Sequence, residues 1–598
     1  MAAVAPTSLR SHWCGELRAA HAGREVRLGG WVHRRRDLGG LVFVDLRDRE
    51  GLVQVAFGPG WSPPEVMERA GGLVAEAAIL VRGVVERRPR GQENDDMPTG
   101  EIEVHATEVA VVGPTVTPAI PVARVRGEAL AAEELRLRYR YLDLRRPEMY
   151  RNLELRHRLL QRTRRELAER GFLEVETPIL TKPTPEGARD FVVPSRVYPG
   201  QFYALPQSPQ LYKQLLMVSG FDRYFQLARC FRDEDQRADR QLEFTQIDLE
   251  CSFVGPEDVY AVTEAVLVTL WAEAGETVTA PFPRLAYREA MERYGTDKPD
   301  VRFGLELHDW TAVVRPLEVP MFRDLGKAGW RVRGIVVPDA QALSRKHLDE
   351  LAALAKHVGG GGLGWLRRQG GQLSGSLAKA FPPASADALG LGDGGVAVFA
   401  VGPDRETSTV LDHVRRALIG LLKLEPSRRH AFLWIEQFPL FERDPESGTL
   451  TFMHHPFTAP HPEDRELVTS DPERARSLHY DAVYNGVELG SGSIRITDPA
   501  LQALVFERLG LAREEAEHRF GWLLEGLRSG APPHGGIALG FDRIALLLAG
   551  GESLRDVIAF PKTAQARALF EGAPTGVPRA DLEALHLSPD ASWAWEQP

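Results

Sequence analysis

With 598 residues the chain exceeds what one ordinary hydrophobic core supports, so length alone favours roughly three or four domains. Hydrophobic residues make up 43% and charged residues 26%, no window approaches about 18 uncharged apolar residues, and the N-terminus lacks a basic-then-apolar signal pattern, so neither a membrane span nor export is expected. The three cysteines, Cys14, Cys230 and Cys251, are scattered and odd in number, which argues against a disulfide framework or a zinc site and for a reducing cytoplasm; the net charge of −10 leaves any RNA partner to local basic patches.

From Glu25 to about Val112 the chain carries the runs VRLGGWV, GLVFVDLRD, LVQVAF, AILVRGVV and EIEVHATEVAVV, which predict five short strands and a small closed barrel of the OB type. The first run ends in His33, Arg34, Arg35 and Arg36 beside Gly39 and Gly40, and Phe43 and Gln54 sit on the strands that follow. Arginines for phosphates, an aromatic to stack a base and an amide to bond one are the parts of a single-stranded RNA reader; burial of Phe43 in the barrel core is the other reading. Gly113 to Leu130 reads as a linker, the segment Leu135 to Arg146 adds five arginines, and an amphipathic helix from about Pro147 to Arg170 stops at Gly171. GFLEVETPIL then has the pattern of an edge strand ended by Pro178, followed by the polar loop Thr181 to Val193. Pro209 opens a helix with Gln210, Lys213 and Gln214 in its first turns.

Tyr224 to Phe231 and Phe244 to Phe253 predict two strands around a charged loop. Alternation puts Gln246, Asp248 and Glu250 on one face and Thr245, Ile247 and Leu249 on the other. Paired carboxylates suit a hard divalent cation also held by phosphates, and Arg232 at the loop's entrance offers a planar fork for an anion; a solvated hairpin with ordinary salt bridges is the competing reading. About Tyr287 to Leu424, with YGTDKPDVRFGLEL and the glycine run Gly359 to Gly362, lacks these charged signatures and reads as an inserted domain. In FMHHPFTAPHPED, His454 and His455 are adjacent and would point to opposite faces of a strand, which disfavours joint chelation. Glu488 precedes a Gly-Ser-Gly run where the backbone can approach a ligand, and Ser493 and Arg495 share a strand face. In APPHGGIALGFDRIALLLAGG, Arg543 stands in the first turn of a short helix, where only an anion makes its charge favourable against the helix dipole.

The string FRDEDQRADRQLEFTQIDLE resembles motif 2 of the class II aminoacyl-tRNA synthetases, GFLEVETPIL resembles motif 1 and GIALGFDRIALLL motif 3; in order, and with the barrel, they resemble the bacterial-type aspartyl-tRNA synthetases over nearly the whole chain. The resemblance implies an α+β multidomain fold: an OB-fold anticodon-binding barrel (1–112), a linker (113–140), an antiparallel-sheet catalytic domain in two parts (141–286 and 425–565), an inserted α+β domain (287–424) and a C-terminal extension (566–598). It implies a ligase that joins L-aspartate and ATP to aspartyl-adenylate and transfers aspartate to the 3′ end of tRNA-Asp, with Mg2+ as cofactor, as a cytoplasmic homodimer with Pro178 at the interface.

Residue by residue, the resemblance assigns Glu186 to the α-ammonium, Lys213 and Arg495 to the side-chain carboxylate, and Gln210, His454 and Arg232 to the aspartate pocket. Arg232 and Arg543 are the catalytic arginines; Asp233, Glu234, Gln241, Glu488, Gly540, Phe541 and Asp542 complete the ATP site; Asp248, Glu250 and Glu488 would hold magnesium. Arg34, Arg36, Leu38, Phe43 and Gln54 would read the anticodon. The chain departs from the family pattern at Pro183, Leu242 and Ser491. Relatives that charge both tRNA-Asp and tRNA-Asn tend to carry histidine in the RRRDxGG stretch where this chain has Leu38, so a discriminating enzyme is expected. The alternatives are a non-discriminating enzyme and a non-catalytic tRNA-binding paralogue.

Overall fold

The computed structural model describes residues 7–124, 128–183, 187–444 and 447–588. They form two compact units, one of residues 1–158, 235–242 and 545–598, the other of residues 159–234 and 243–544.

In the first unit β1 (Glu25–Asp37), β2 (Val42–Arg47), β3 (Leu52–Phe57), β4 (Ala78–Arg87) and β5 (Ile102–Gly113) close into a barrel in the order β1-β2-β3-β5-β4. Period-two alternation sends Val26 and Leu28, Val42 and Val44, and Val53 and Val55 into its core. Phe43 lies between two of these and is only half-buried, so it points away from the core and the core reading of this side chain does not hold. The β1–β2 turn uses Gly39 and Gly40 at φ +66° and +97°, which a side chain would resist, and leaves Leu38 65% exposed. Arg47 grips buried Glu76 with two N–H groups at 2.8 and 2.7 Å, and Arg145 adds a third bond at 2.9 Å. The segment expected as a linker is partly packed: Ile120 and Val122 are buried against Leu142.

The second unit begins with β6 (Leu173–Glu174), the small hairpin β7 (Val192–Pro194) and β8 (Phe202–Ala204), then β9 (Arg223–Phe231), β10 (Glu243–Ser252) and β11 (Arg284–Ala286). An inserted sheet follows, made of β12 (Leu307–Asp309), β13 (Trp330–Val337), β14 (Gly364–Gln369), β15 (Gln372–Gly375) and β16 (Val396–Pro403), in the order β12-β13-β16-β14-β15. The Arg345–His357 and Asp404–Leu421 helices cover one of its faces, while Trp310, Phe322, Phe381 and Phe399 gather on a second core. The chain then returns through β17 (Phe432–Glu436), the hairpin β18 (Phe441–Arg443) and β19 (Leu450–Phe452), β20 (His479–Tyr484), β21 (Val487–Ile494) and β22 (His534–Gly540).

The main sheet has eight strands in the order β11-β17-β20-β21-β22-β10-β9-β6, antiparallel from β17 to β9 and closed at each end by a short parallel pair. Its central strands arrive from chain segments some 300 residues apart because the inserted domain interrupts them. The Pro256–Glu273 helix packs on β22 and buries Val266, Leu267, Leu270 and Trp271. The strand expected over Glu174 to Ile179 is shorter: only Leu173 and Glu174 pair, with Tyr224 and Phe225. Beyond Val175, whose N–H still reaches Phe225, the Thr177 hydroxyl turns to Gln226, and Pro178 has no N–H to extend the ladder.

Candidate active site

Strand register gathers the chemistry on one face of the main sheet. Antiparallel neighbours across a pair share a face, and Ser493, Gly536 and Glu250 stand in one such row across β21, β22 and β10. A Cβ on Gly536 would lie 2.1 Å from the Leu249 carbonyl oxygen and 2.2 Å from Glu250 Oε2, so glycine both lets β22 approach β10 and leaves room for the carboxylate. Arg495, two residues beyond Ser493, reaches over that gap. Its Nε and Nη2 donate to Glu250 Oε1 and Oε2 at 2.9 and 3.0 Å, and its Nη1 donates to Ser493 Oγ at 2.6 Å. Lys213, from the Gln210–Val218 helix, donates to Asp248 Oδ1 at 2.9 Å and lies 3.5 Å from Glu250 Oε2. Two cations and two carboxylates thus form a buried, charge-balanced quartet.

Burial alone would raise Glu250, but Arg495 and Lys213 outweigh it and hold the carboxylate below its ordinary range. Asp248 ends above its ordinary range, because burial outweighs Lys213 there, and its Oδ2 is buried without a hydrogen-bond partner. An orphaned carboxylate oxygen in such a place invites a cationic ligand. His455 sits at the edge of the quartet, with Nε2 2.8 Å from Arg495 Nη1 and Nδ1 3.2 Å from the Phe457 N–H. Burial first, then the charge of Arg495, keeps it well below the ordinary histidine range; a neutral ring accepts at one nitrogen only, so these two contacts alternate as hydrogen bonds. His454 stacks on His479 with ring centres 3.2 Å apart, and its Nε2 is buried without a partner.

A second acidic group lies on β20 and β21. His479 Nε2 and the Ser491 hydroxyl meet Asp481 Oδ1 at 2.8 and 2.6 Å. Pairing slips by one residue between Ala482 and Val483, leaving Leu489 extra on β21. That bulge lets Glu488, opposite Val483, share the face of Ser491, three residues on, which a regular strand forbids. Burial pushes Asp481 up to about 6, and Glu488 is raised by burial and then by the charge of Asp481. Two buried carboxylates that disfavour each other's ionisation have the donor chemistry for a divalent cation. Of the oxygens of Asp248 and Glu250, three are held by Lys213 and Arg495, and Asp248 Oδ2 is the one without a hydrogen-bond partner. Beside the expected set of Asp248, Glu250 and Glu488 there is thus a further buried carboxylate, Asp481, on the face of Glu488.

Arg232 stacks its guanidinium 5.1 Å from the Phe244 ring centre, and its Nε is buried without a hydrogen-bond partner. Asp233 pairs its N–H with the Arg189 carbonyl at 3.0 Å, and Glu234 is half-buried beside it. Arg543, in the first turn of the Phe541–Ala549 helix, donates to the Glu488 carbonyl at 2.6 Å. Gly540 ends β22, whereas the Phe541 and Asp542 side chains are buried, Asp542 accepting the Thr245 N–H at 2.9 Å. Gln241 belongs to the first unit, where its amide is bonded both ways to the Lys562 backbone, at 2.9 and 3.3 Å. Gln210 Nε2 is buried without a partner, and Glu186 lies outside the described residues. On the barrel Arg34 is exposed; Arg36 donates to Asp45 at 2.8 Å and to Gln54 Oε1 at 3.0 Å, and Gln54 passes the chain to Glu103 at 2.7 Å. Gln54 is thereby buried, whereas Arg34, Arg36 and Leu38 are exposed and Phe43 is half-buried.

Gly490 and Gly492 serve the sheet, not a ligand: a Cβ there would lie 2.2 Å from the Ala538 or Gly536 carbonyl oxygen of β22. Ser491, the departure between them, is accommodated on the opposite side by its bond to Asp481. The residues that sequence reasoning overlooked are Asp481, His479, Ser491 as a donor, and His455 as the neighbour of Arg495. Their signal was the polar alternation His479, Asp481 in an otherwise apolar strand.

Sequence comparison matches the family described as tRNA synthetases class II (D, K and N) over residues 132–564, and the OB-fold nucleic acid binding domain over residues 26–112. The chain is 50% identical to the aspartate–tRNA(Asp/Asn) ligase of Rubrobacter xylanophilus, covering 98% of both chains. It is 47% identical to the aspartate–tRNA ligase of Listeria monocytogenes, covering 97% of this chain and 98% of the relative. In fold it is similar to the aspartyl-tRNA synthetase of Entamoeba histolytica (18% identity, TM-score 0.56, covering 93% of this chain and 91% of that one). It is similar also to the asparaginyl-tRNA synthetase of Pyrococcus horikoshii bound to asparaginyl-adenylate (20% identity, TM-score 0.56, covering 92% and 98%).

Proposed function

The chain belongs to the class II tRNA synthetases of the D, K and N group and is an aspartate–tRNA ligase, and from that premise we propose how its residues divide the reaction. The observation that carries the reading is the buried quartet Lys213, Asp248, Glu250 and Arg495. Lys213 and Arg495 receive the side-chain carboxylate of aspartate, and His454 donates to it from its unpartnered Nε2 edge. The α-ammonium meets the orphaned Asp248 Oδ2, with Gln210 and Glu186 as further partners. Asparagine in the same place brings no charge to the cations and forfeits a charge-assisted hydrogen bond, which contributes about 1.5–3 kcal/mol.

No nucleophilic side chain is required. A carboxylate oxygen of aspartate bonds to the α-phosphorus of ATP in line as the bond to pyrophosphate breaks, so the protein contributes positioning and charge. Arg232, held flat over Phe244, offers its fork to the α-phosphate and the reacting carboxylate, and Arg543 holds the far end of ATP. Asp481 and Glu488 would hold magnesium, which when bound neutralises charge on the phosphates. A hydroxyl of the terminal adenosine of tRNA then takes the aspartyl group and AMP leaves. We assign the chain to tRNA-Asp rather than to both tRNA-Asp and tRNA-Asn: an exposed leucine at the β1–β2 tip offers no hydrogen bond to a variable base, where histidine would accept either pyrimidine. The chain acts as a homodimer, with Pro178 among exposed apolar side chains, Leu173, Ile179, Leu180, Phe202 and Tyr203, of which Leu180 and Tyr203 flank the Thr181–Ala204 bridge.

The test is ATP–pyrophosphate exchange with each of the twenty amino acids. Exchange with aspartate alone is the expected result. Exchange with asparagine at a comparable kcat/KM would overturn the pocket assignment.

A further inference from the structure

The β20–β21 hairpin that carries Asp481 and Glu488 is divided by its own bulge. With Leu489 extra, the tip pairs only Val483 with Glu488 and Tyr484 with Val487, and regular pairing resumes at Ala482 and Gly490. A bulge bends its strand and interrupts the ladder, so sheet register by itself does not fix where the tip stands, and Glu488 with it. Contacts from outside the hairpin do.

The turn at the tip is Asn485-Gly486, with φ +49° and +81°, a conformation that asparagine and glycine take at least cost. Asn485 donates its N–H to the Ala431 carbonyl at 3.0 Å, accepts the Ala431 N–H on Oδ1 at 2.9 Å and donates Nδ2 to the Arg429 carbonyl at 3.1 Å. Arg429 and Ala431 lie on the segment by which the chain returns from the inserted domain. The outgoing segment meets the same turn at Asp300: a Cβ on Gly486 would lie 3.0 Å from Asp300 Cβ. Arg302 holds both Asp300 oxygens at 2.9 and 2.7 Å, and its carbonyl accepts the N–H and the hydroxyl of Ser427 at 2.9 and 2.8 Å. Outgoing and returning segments are thus bound to each other and to the turn between them. The inserted domain anchors the outgoing one: buried Arg415, on the Asp404–Leu421 helix, donates to the carbonyls of Asp300, Phe303, Gly304 and Leu305 at 2.9, 2.8, 3.0 and 3.1 Å. Arg543 in turn depends on the tip, because its Nη1 donates to the Glu488 carbonyl at 2.6 Å.

We propose that Asn485 is a positioning residue for Glu488, and that the two segments joining the inserted domain to the main sheet fix, through Asn485 and Asp300, the hairpin tip that serves ATP. This rests on the reading of Glu488 as part of the ATP site. Without the clamp the tip swings about the bulge and carries the Glu488 carboxylate, and the carbonyl that holds Arg543, away from the nucleotide. The quartet that receives aspartate stands beyond the bulge, where β21, β22 and β10 keep their register. Loosening the clamp therefore weakens ATP and spares aspartate.

The experiment compares full-length Asn485→Gly, Asn485→Asp and Arg302→Met with the wild type and with Glu488→Gln. Glycine keeps the positive φ and removes both side-chain bonds, aspartate keeps the acceptor for the Ala431 N–H, and Arg302→Met releases the Asp300 side chain without touching the turn. Aspartate-dependent ATP–pyrophosphate exchange gives the KM for ATP and for aspartate, and isothermal titration calorimetry without aspartate gives the Kd for ATP with Mg2+. Loss of ordinary hydrogen bonds predicts a rise of about three- to tenfold in the KM and Kd for ATP in Asn485→Gly and Arg302→Met, with the KM for aspartate within about twofold. Asn485→Asp should fall between Asn485→Gly and wild type. Unchanged Kd for ATP in Asn485→Gly, or an equal loss for ATP and aspartate, would overturn the proposal. An effect in Asn485→Gly with none in Arg302→Met would overturn the part given to the inserted domain. Unchanged Kd for ATP in Glu488→Gln would instead overturn the reading of Glu488 on which the proposal rests.

Discussion

Replacing Arg495 by leucine removes both N–H groups that hold Glu250, at 2.9 and 3.0 Å, and the one that holds Ser493 Oγ at 2.6 Å. Glu250 is fully buried, and the nearest remaining cation is Lys213 at 3.5 Å. Removing one partner of a buried pair costs ~3–5 kcal/mol, an upper figure here because Lys213 remains and because Glu250, freed from Arg495, can take up a proton. The catalytic cost is separate. One charge-assisted bond to the aspartate carboxylate amounts to ~1.5–3 kcal/mol, or about tenfold to 150-fold in kcat/KM for aspartate at 1.36 kcal/mol per decade. Exchange kinetics with aspartate and the urea midpoint of the catalytic unit read the two costs independently. The paired variant Arg495→Leu, Glu250→Gln distinguishes them: with the orphan charge gone the urea midpoint should recover, while activation of aspartate should stay at the single-variant level. Recovery of activity together with the midpoint, or kcat/KM for aspartate unchanged in the single variant, would show that Arg495 serves the fold and does not bind substrate.

Gly536→Ala should lose at least about tenfold in aspartate activation, because overpacking at this site costs ~1–3 kcal/mol and its Cβ, 2.1 Å from the Leu249 carbonyl oxygen and 2.2 Å from Glu250 Oε2, forces β22 away from β10 and displaces the carboxylate from Arg495; unchanged exchange kinetics would contradict this. Light scattering at micromolar concentration should give twice the monomer mass, and a charged residue in place of the exposed Ile179 should shift it toward monomer. Wild type should charge tRNA-Asp and leave tRNA-Asn largely uncharged, and Leu38→His should raise the tRNA-Asn share; equal charging of both by wild type would refute the specificity assignment. Burial would raise Glu76, but the bonds from Arg47 and Arg145 outweigh it and hold its carboxyl below the ordinary glutamate range. A depressed carboxylate stabilises above its unfolded pKa and loses that contribution as pH falls through the folded value, so Glu76→Gln should be less stable than wild type at pH 7 by denaturant unfolding of the barrel, with the gap closing below about pH 4.

Alternation along Glu243–Ser252 was enough to put Asp248 and Glu250 on one face, and the spacing of short apolar runs was enough to predict the barrel, because both depend only on period-two geometry. The partners of those carboxylates were beyond its reach. Lys213 is 35 residues from Asp248 and Arg495 is 245 residues from Glu250, and no local pattern distinguishes a carboxylate awaiting a cation from one already paired. The same limit kept Asp481 out of the expected metal set. Glu488 joins Asp481 only through the extra residue Leu489 on β21, a bulge that shifts the face by one residue and leaves no mark in the alternation of the strand itself. Motif 1 failed as a strand for a related reason: Glu174 to Ile179 has strand composition, but at a sheet edge the ladder ends when side chains such as Thr177 find other partners and a proline withholds its N–H. Residue types, their faces and their order along the chain follow from the sequence; which charges cancel, and which remain for a substrate, follows only when distant strands are brought into register.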